Sequence, residues 1–132
     1  MSSLDKYTFA ESHPEAKQVR QNNNWYLQEN GKNLTGFQKI ADQNKICYYN
    51  PSNGAMVYGQ QNINGHWQWF DLQTGRQAKS QFVNIKDQNK TVYYDGLGNM
   101  VYGQQKIDGH WYLFDKVTGT MQTGFQWLGN YG

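Results

Sequence analysis

Two tryptophans, Trp67 and Trp111, stand 44 residues apart, and each keeps the same company. Tandem glutamines precede them, Gln60 and Gln61 in one case and Gln104 and Gln105 in the other. A tyrosine, Tyr58 or Tyr102, comes just before the glutamines, and a histidine, His66 or His110, directly before the tryptophan. An indole offers a flat apolar face, and a primary amide offers two donors and an acceptor. That pairing suits a sugar ring, whose C–H side lies on the aromatic face while its hydroxyls meet planar polar groups. Tyr48 and Tyr93, in the runs "ICYY" and "TVYY", add platforms with hydroxyl handles. These twelve side chains are the candidate carbohydrate contacts. Two alternatives stay open: Tyr58 and Tyr102 packing a second strand, and the glutamines lying as solvated edge residues.

Other chemistries find less support. His66 and His110 recur a full period apart without further ligands beside them, so no metal is expected and no cofactor is implied. Asp71 and Asp115 recur because the unit recurs, whereas a glycosidase needs two carboxylates held at a defined separation. An Asp at a strand end before a Gly turn more often accepts hydrogen bonds from that turn. No nucleophile elbow, P-loop or H-E-x-x-H motif is present, so the chain reads as non-catalytic.

The elements that must carry these residues follow from composition and repetition. Leu, Ile, Val and Phe together number 24 in 132 residues, too few for an ordinary aliphatic core. Net charge is only +2 and aromatics make up 16%, so burial falls to Trp, Tyr and Phe rather than giving way to disorder. There is no basic cluster to neutralise phosphates, so nucleic acid is not an expected partner. Nor is there an apolar stretch long enough for membrane insertion. Cys47 is the single cysteine and reads as a small hydrophobe in a strand.

"MVYGQQNINGHWQWFD" (56–71) returns as "MVYGQQKIDGHWYLFD" (100–115), and "TGFQ" (35–38) returns at 123–126. A fixed period marks a repeat architecture. Each 44-residue period divides into halves of 21–22 residues, and five halves superpose, at 24–40, 45–63, 65–85, 90–107 and 109–128. Short apolar runs broken by Asn, Asp and Gly predict strands rather than helices. "YYNPSNGAMVY" and "WFDLQTGRQA" each predict a strand, a turn of four or five residues containing Gly, and a second strand. On that phase the repeated phrase is a junction: the second strand of one hairpin, a "GQQ" connector and the first strand of the next. A lone hairpin is marginal in water, so stacked copies are required. The predicted fold is therefore all-β, a solenoid of about five stacked β-hairpins over 23–132. Residues 1–22 lack the pattern and read as a linker or atypical N-terminal cap with room for one short helix. Strand alternation places Tyr49, Phe70, Tyr94 and Phe114 on the core face.

"GHWYLFDKVTGTMQTGFQ" (109–126) resembles the choline-binding and glucan-binding repeats of Gram-positive surface proteins, over roughly 24–128. The resemblance implies a hairpin solenoid, secretion, and attachment beside a separate catalytic domain such as a wall hydrolase, a phage endolysin or a glucansucrase. The implied partner is a cell-wall polysaccharide, a peptidoglycan-associated glycan or an α-glucan. One departure bears on the ligand. The Trp that follows Thr-Gly in the family is replaced by Phe37, Gln60, Phe82, Gln104 and Phe125. A choline cage relies on aromatic faces around a quaternary ammonium, and Gln at two of five positions favours a glycan instead. Choline or teichoic-acid binding and a purely structural spacer or adhesion repeat remain the alternatives. The chain ends on "FQWLGNYG", where a further unit is expected to begin.

Overall fold

The computed structural model describes residues 13–122; Phe125 and the rest of the final repeat lie outside them. The described residues are all-β, with eleven short strands and two single 3₁₀ turns. The chain divides into two compact units, 1–61 with 69–77, and 62–68 with 78–132.

In the first unit, β1 (Lys17–Gln21), β2 (Asn24–Glu29) and β3 (Lys32–Leu34) form an antiparallel sheet in the order β1-β2-β3. The part of the opening segment left open for a helix is thus a strand from Lys17 on. β4 (Gly36–Ile40) and β5 (Lys45–Tyr49) form the next hairpin, in register from Gly36–Tyr49 to Ile40–Lys45. In the second unit, β8 (Gln81–Ile85) pairs with β9 (Lys90–Tyr94), and β10 (Gly103–Ile107) with β11 (His110–Phe114). Between these, β6 (Gly59–Ile63) and β7 (His66–Phe70) make a further hairpin, shared between the two units.

The hairpins are closed by two turn chemistries. Asn22-Asn23, Asn30-Gly31, Asn64-Gly65 and Asp108-Gly109 each have positive φ at both positions. That is the type I′ turn, whose twist matches the flanking strands and which asks for Asn, Asp or Gly. The longer loops 41–44 and 86–89 end on left-handed Asn44 and Asn89, at φ 48° and 50°. The "DQNK" echo at 42–45 and 87–90 is this loop.

The hairpin phase differs from the one predicted. The repeated phrase is not a junction: its "GQQNI" and "HWQWF" halves are the two strands of one hairpin, folded at Asn64-Gly65. The segments 50–55 and 71–76 do turn, but the pairing beyond them stops at single bridges, Tyr49–Met56 and Phe70–Gln77, with Tyr94–Met100 and Phe114–Met121 their counterparts. The first bridge is flanked by the Asn50 N–H to Ala55 carbonyl (2.8 Å) and Val57 N–H to Tyr48 carbonyl (2.9 Å) bonds, which leaves the Met56 N–H facing outward. It donates to the Trp25 carbonyl of β2 (2.8 Å), and the Gln77 N–H donates to that of Ile46 in β5 (2.8 Å). In the second unit, the Met100 N–H donates to Trp67 (2.9 Å) and the Met121 N–H to Thr91 (2.7 Å). Each connector, which follows one hairpin, is thereby tied to a strand of the hairpin or sheet before that one.

The connectors hold themselves together. Asp71 Oδ2 accepts the N–H groups of Gln73 (3.0 Å) and Thr74 (2.8 Å); Asp115 Oδ1 accepts those of Val117 (2.7 Å) and Thr118 (2.8 Å). Both carboxylates are therefore turn acceptors. Donation from the Thr74 N–H, the largest effect at Asp71, and from the Thr118 N–H at Asp115 lowers both carboxyl pKa values below the ordinary 3.8. A depressed carboxyl contributes stability that is complete above its unfolded pKa and is lost as pH falls through the folded value. Urea unfolding at pH 7 and at pH 3 should show the midpoint falling with acid, and Asp71→Asn should reduce that fall.

Burial follows the alternation. Tyr49, Phe70, Tyr94 and Phe114 are fully buried. In the first unit, Leu27, Ile40, Cys47, Tyr49 and Met56 form one cluster, with Trp25, Leu34 and Tyr58 packed on it. Cys47 has no exposure, and desolvation pushes its thiol above the usual range, so it behaves as a small apolar side chain. Burial likewise pushes the phenols of Tyr49 and Tyr94 upward. In the second unit, Val83, Ile85, Val92, Tyr94, Met100 and Phe114 are the buried counterparts.

Candidate functional site

One predicted residue, Tyr58, enters a first-unit cleft of about 290 Å³ lined by Gln18, Trp25, Gln43, Lys45, Met56, Tyr58, Gln73 and Thr74. β1 and β2 bring Gln18 and Trp25, the loop before β5 brings Gln43, β5 itself brings Lys45, and two connectors bring Met56 with Tyr58 and Gln73 with Thr74. The Met56 N–H bond to Trp25 holds the tyrosine connector against β2. On the other side, Lys45 Nζ donates to the Thr74 carbonyl at 2.7 Å and fastens the second connector to β5. Gly75 fits beneath because it has no Cβ: one placed there would collide with Met56 Sδ and come within 3.6 Å of Cys47 Sγ.

Aromatic, thioether, amide and ammonium groups thus share one cleft. The Arg20 guanidinium stands 5.7 Å from the centroid of the Trp25 ring, on which it is the cross-strand neighbour. Burial raises the pKa of the Tyr58 phenol, Cys47 adds to the rise and Arg20 opposes it. Tyr58 is therefore a neutral donor at physiological pH.

The second unit repeats the frame. Lys90 Nζ donates to the Thr118 carbonyl at 3.1 Å, the counterpart of Lys45 on Thr74. The Met100 N–H to Trp67 carbonyl bond matches that of Met56 to Trp25. A Cβ at Gly119 would collide with Met100 Sδ and approach Tyr102 to 3.6 Å. Tyr102 is half-buried, and burial raises its phenol. Trp67 is 40% exposed.

The twelve predicted residues are not one surface. Tyr58 enters the first cleft, and Trp67 and Tyr102 belong to the matching frame of the second unit. Gln61 and Gln105 turn back on the chain: their amide nitrogens donate to the carbonyls of Tyr58 (2.8 Å) and Tyr102 (2.7 Å). They brace the two tyrosines. Gln60 is half-buried and Gln104 exposed on β6 and β10. His66 and His110 are exposed first residues of β7 and β11.

Tyr48 and Tyr93 sit in separate aromatic clusters. Tyr48 meets Phe37 edge-on, with centroids 4.7 Å apart, and lies 6.1 Å from Phe70. Tyr93 meets Phe82 in the same way at 4.7 Å, and Phe82 lies 5.1 Å from Tyr112. These rings are in direct contact with one another. Trp111 carries Lys106 at 5.8 Å from its ring centroid, as Trp25 carries Arg20.

Sequence reasoning missed Trp25, Met56, Lys45, Gln73 and Thr74. The signal was present for one of them: in the superposed halves, Trp25 falls on Trp67. The others required the fold, because the connector containing Gln73 and Thr74 reaches Lys45 across 29 residues of chain.

Comparison with known proteins places this geometry. Residues 85–127 match the family model of the choline-binding repeat. The search of curated proteins finds no match. Among solved structures, the chain is similar to CbpJ from Streptococcus pneumoniae at 29% identity and a TM-score of 0.73, over 86% of this chain and 38% of that one. It is also similar to choline binding protein F from Streptococcus pneumoniae, solved in the presence of a peptidoglycan analogue, a tetrasaccharide-pentapeptide. There the identity is 27% and the TM-score 0.72, over 85% of this chain and 36% of that one. The chain thus spans less than two fifths of the length of these relatives.

Proposed function

The chain carries the repeat of the choline-binding and glucan-binding family, and from that premise we propose that it is a non-catalytic module that holds a glycan of the bacterial cell wall. The module acts outside the cell and anchors the protein that contains it, including an attached wall hydrolase, endolysin or glucansucrase where one is present. The observation that carries this is the first-unit cleft, where the Trp25 and Tyr58 rings and the Met56 thioether are ringed by Gln18, Gln43, Gln73 and Thr74. Flat apolar faces bordered by amides are what a pyranose needs. The peptidoglycan analogue in the crystals of choline binding protein F supports wall material as the ligand class.

Two observations favour sugar over choline at this cleft. A quaternary ammonium is held by aromatic faces without competing cations. Here Lys45 lines the cleft, and Arg20 already stands over Trp25. The Phe82, Tyr93 and Tyr112 rings, the nearest thing to a cage in the second unit, are packed against each other. Each single contact is weak, but repeated clefts meet one polymer at high local concentration, so avidity accumulates.

Retention of the chain on purified Gram-positive walls and on cross-linked dextran tests the proposal. The chain should be retained on at least one and eluted by soluble glycan, with millimolar choline ineffective. Tyr58→Phe with Trp67→Ala should weaken retention roughly thirtyfold if each loses about 1 kcal/mol of polar or stacking contact. Passage through both columns would refute carbohydrate binding, and elution by choline would transfer the site to the choline reading.

A further inference from the structure

The two units share a cleft frame but not its charge. In the first, three cations surround it. Lys45 lines the cleft, with one N–H on Thr74. Arg20 stands over the ring of Trp25. Arg76 reaches the opposite rim, where Nη1 donates to the Asn44 carbonyl at 3.0 Å and Nη2 approaches that of Gln43 at 3.4 Å. Of the acids nearby, Asp71 accepts the N–H groups of Gln73 and Thr74 and feels the charge of Arg76, and Asp42 is an exposed residue of the 3₁₀ turn.

In the second unit only the lysine remains, as Lys90 on Thr118. Forty-four residues after Arg76 stands Thr120, and five residues before Trp67, where Arg20 precedes Trp25, stands Asn62. Both are neutral. The positions are otherwise under little constraint: Thr120 joins its neighbour Thr118 through their hydroxyls, and Asn62 accepts the Gly65 N–H. The same backbone therefore accepts an arginine or a neutral residue at these two positions, and the first unit has the arginines.

Resting on the glycan reading above, we propose that the first-unit cleft recognises an anionic group carried on the sugar, a phosphoryl ester, through Arg20, Lys45 and Arg76, while the second-unit cleft takes neutral sugar. A guanidinium presents a planar fork of N–H donors that matches phosphate or carboxylate oxygens, and such charge-assisted bonds are about twice as strong as neutral ones. Trp25 and Tyr58 hold the ring, and the cations hold its substituent. No covalent step is involved. Successive sites along one module would thereby read alternating features of a polymer.

The test follows the indole N–H signals of the whole chain by NMR as glucose, α-glucose 1-phosphate or glucuronate is added. Glucose 1-phosphate should perturb Trp25 at roughly tenfold lower concentration than glucose, the equivalent of one charge-assisted bond. Trp67 should respond to the two alike. Arg20→Asn with Arg76→Thr, the residues that the second unit already carries, should remove the preference at Trp25, and raised salt should weaken it. Glucuronate matching the phosphate would support an anion site whose source is a carboxylate. Equal response to all three, or a preference that survives the double substitution, overturns the inference while leaving sugar binding intact. Absence of any response at Trp25 and Trp67 overturns both.

Discussion

Phe70→Ala and Phe114→Ala should be the most damaging single truncations in the described residues. Each ring is fully buried at the end of the second strand of its hairpin. Phe70 lies 6.4 Å from Phe37 and 6.1 Å from Tyr48; Phe114 lies 6.5 Å from Phe82 and 6.2 Å from Tyr112. Removing a buried phenyl costs about 3–5 kcal/mol, lost transfer energy plus the void left behind. With few aliphatic residues available to close that void, the upper half of the range applies. Small domains have roughly 5–15 kcal/mol in hand. Either variant should therefore show a urea midpoint near zero or no cooperative transition at all by near-ultraviolet circular dichroism. A midpoint within experimental error of the parent would mean that the aromatic face is not the core.

Gly75→Ala and Gly119→Ala come second, and they separate two effects that a glycine usually mixes. Both positions have positive φ, 73° and 74°, and at both a Cβ runs into the methionine of the preceding connector. Left-handed backbone costs an L-residue about 1–2 kcal/mol, and overpacking adds about 1–3 kcal/mol. Gly65 and Gly109 have φ of 85° and 83° but open space around the missing Cβ. Their alanine variants should carry only the backbone cost. Urea unfolding of Gly75→Ala against Gly65→Ala then measures the crowding alone, and a difference below about 0.5 kcal/mol would contradict it. Because Gly75 also underlies the first cleft, its variant should disturb Trp25 fluorescence as well.

The sequence made the architecture legible because repetition and alternation are local facts. The period marks the hairpins, and the alternate positions in "ICYY", "HWQWF", "TVYY" and "HWYLF" mark Tyr49, Phe70, Tyr94 and Phe114 as core. The phase of the hairpins was a harder matter. Two turn-rich segments flank every strand, and both turn. One carries a five-residue ladder and the other a single bridge, and the bridged residues also bond to distant strands, Met56 to Trp25 and Gln77 to Ile46, 31 residues back in each case. Asn64-Gly65 and Asp108-Gly109 carried a local clue, since an Asn-Gly or Asp-Gly pair between two apolar runs is a strong two-residue hairpin signal. The site divided in the same way. Tyr58 and Trp67 were visible as repeated aromatics, but Gln61 and Gln105 looked like ligand contacts until their amides were seen on the carbonyls of Tyr58 and Tyr102.

The ladders that end after five residues also bear on solubility. Sixteen glutamines, fourteen asparagines and ten tyrosines give this chain the composition of polymers that assemble into cross-β fibres. Among the described residues, all strands but β2 lie at a sheet edge, and none exceeds six residues. A two-stranded ribbon is strongly twisted, and a short twisted edge is a poor template for another chain. Left-handed Asn, Asp and Gly residues close the turns between these short strands. The same turns that fold the repeats thus keep an amide-rich protein from polymerising, and lengthening a hairpin to stabilise it would risk removing that protection.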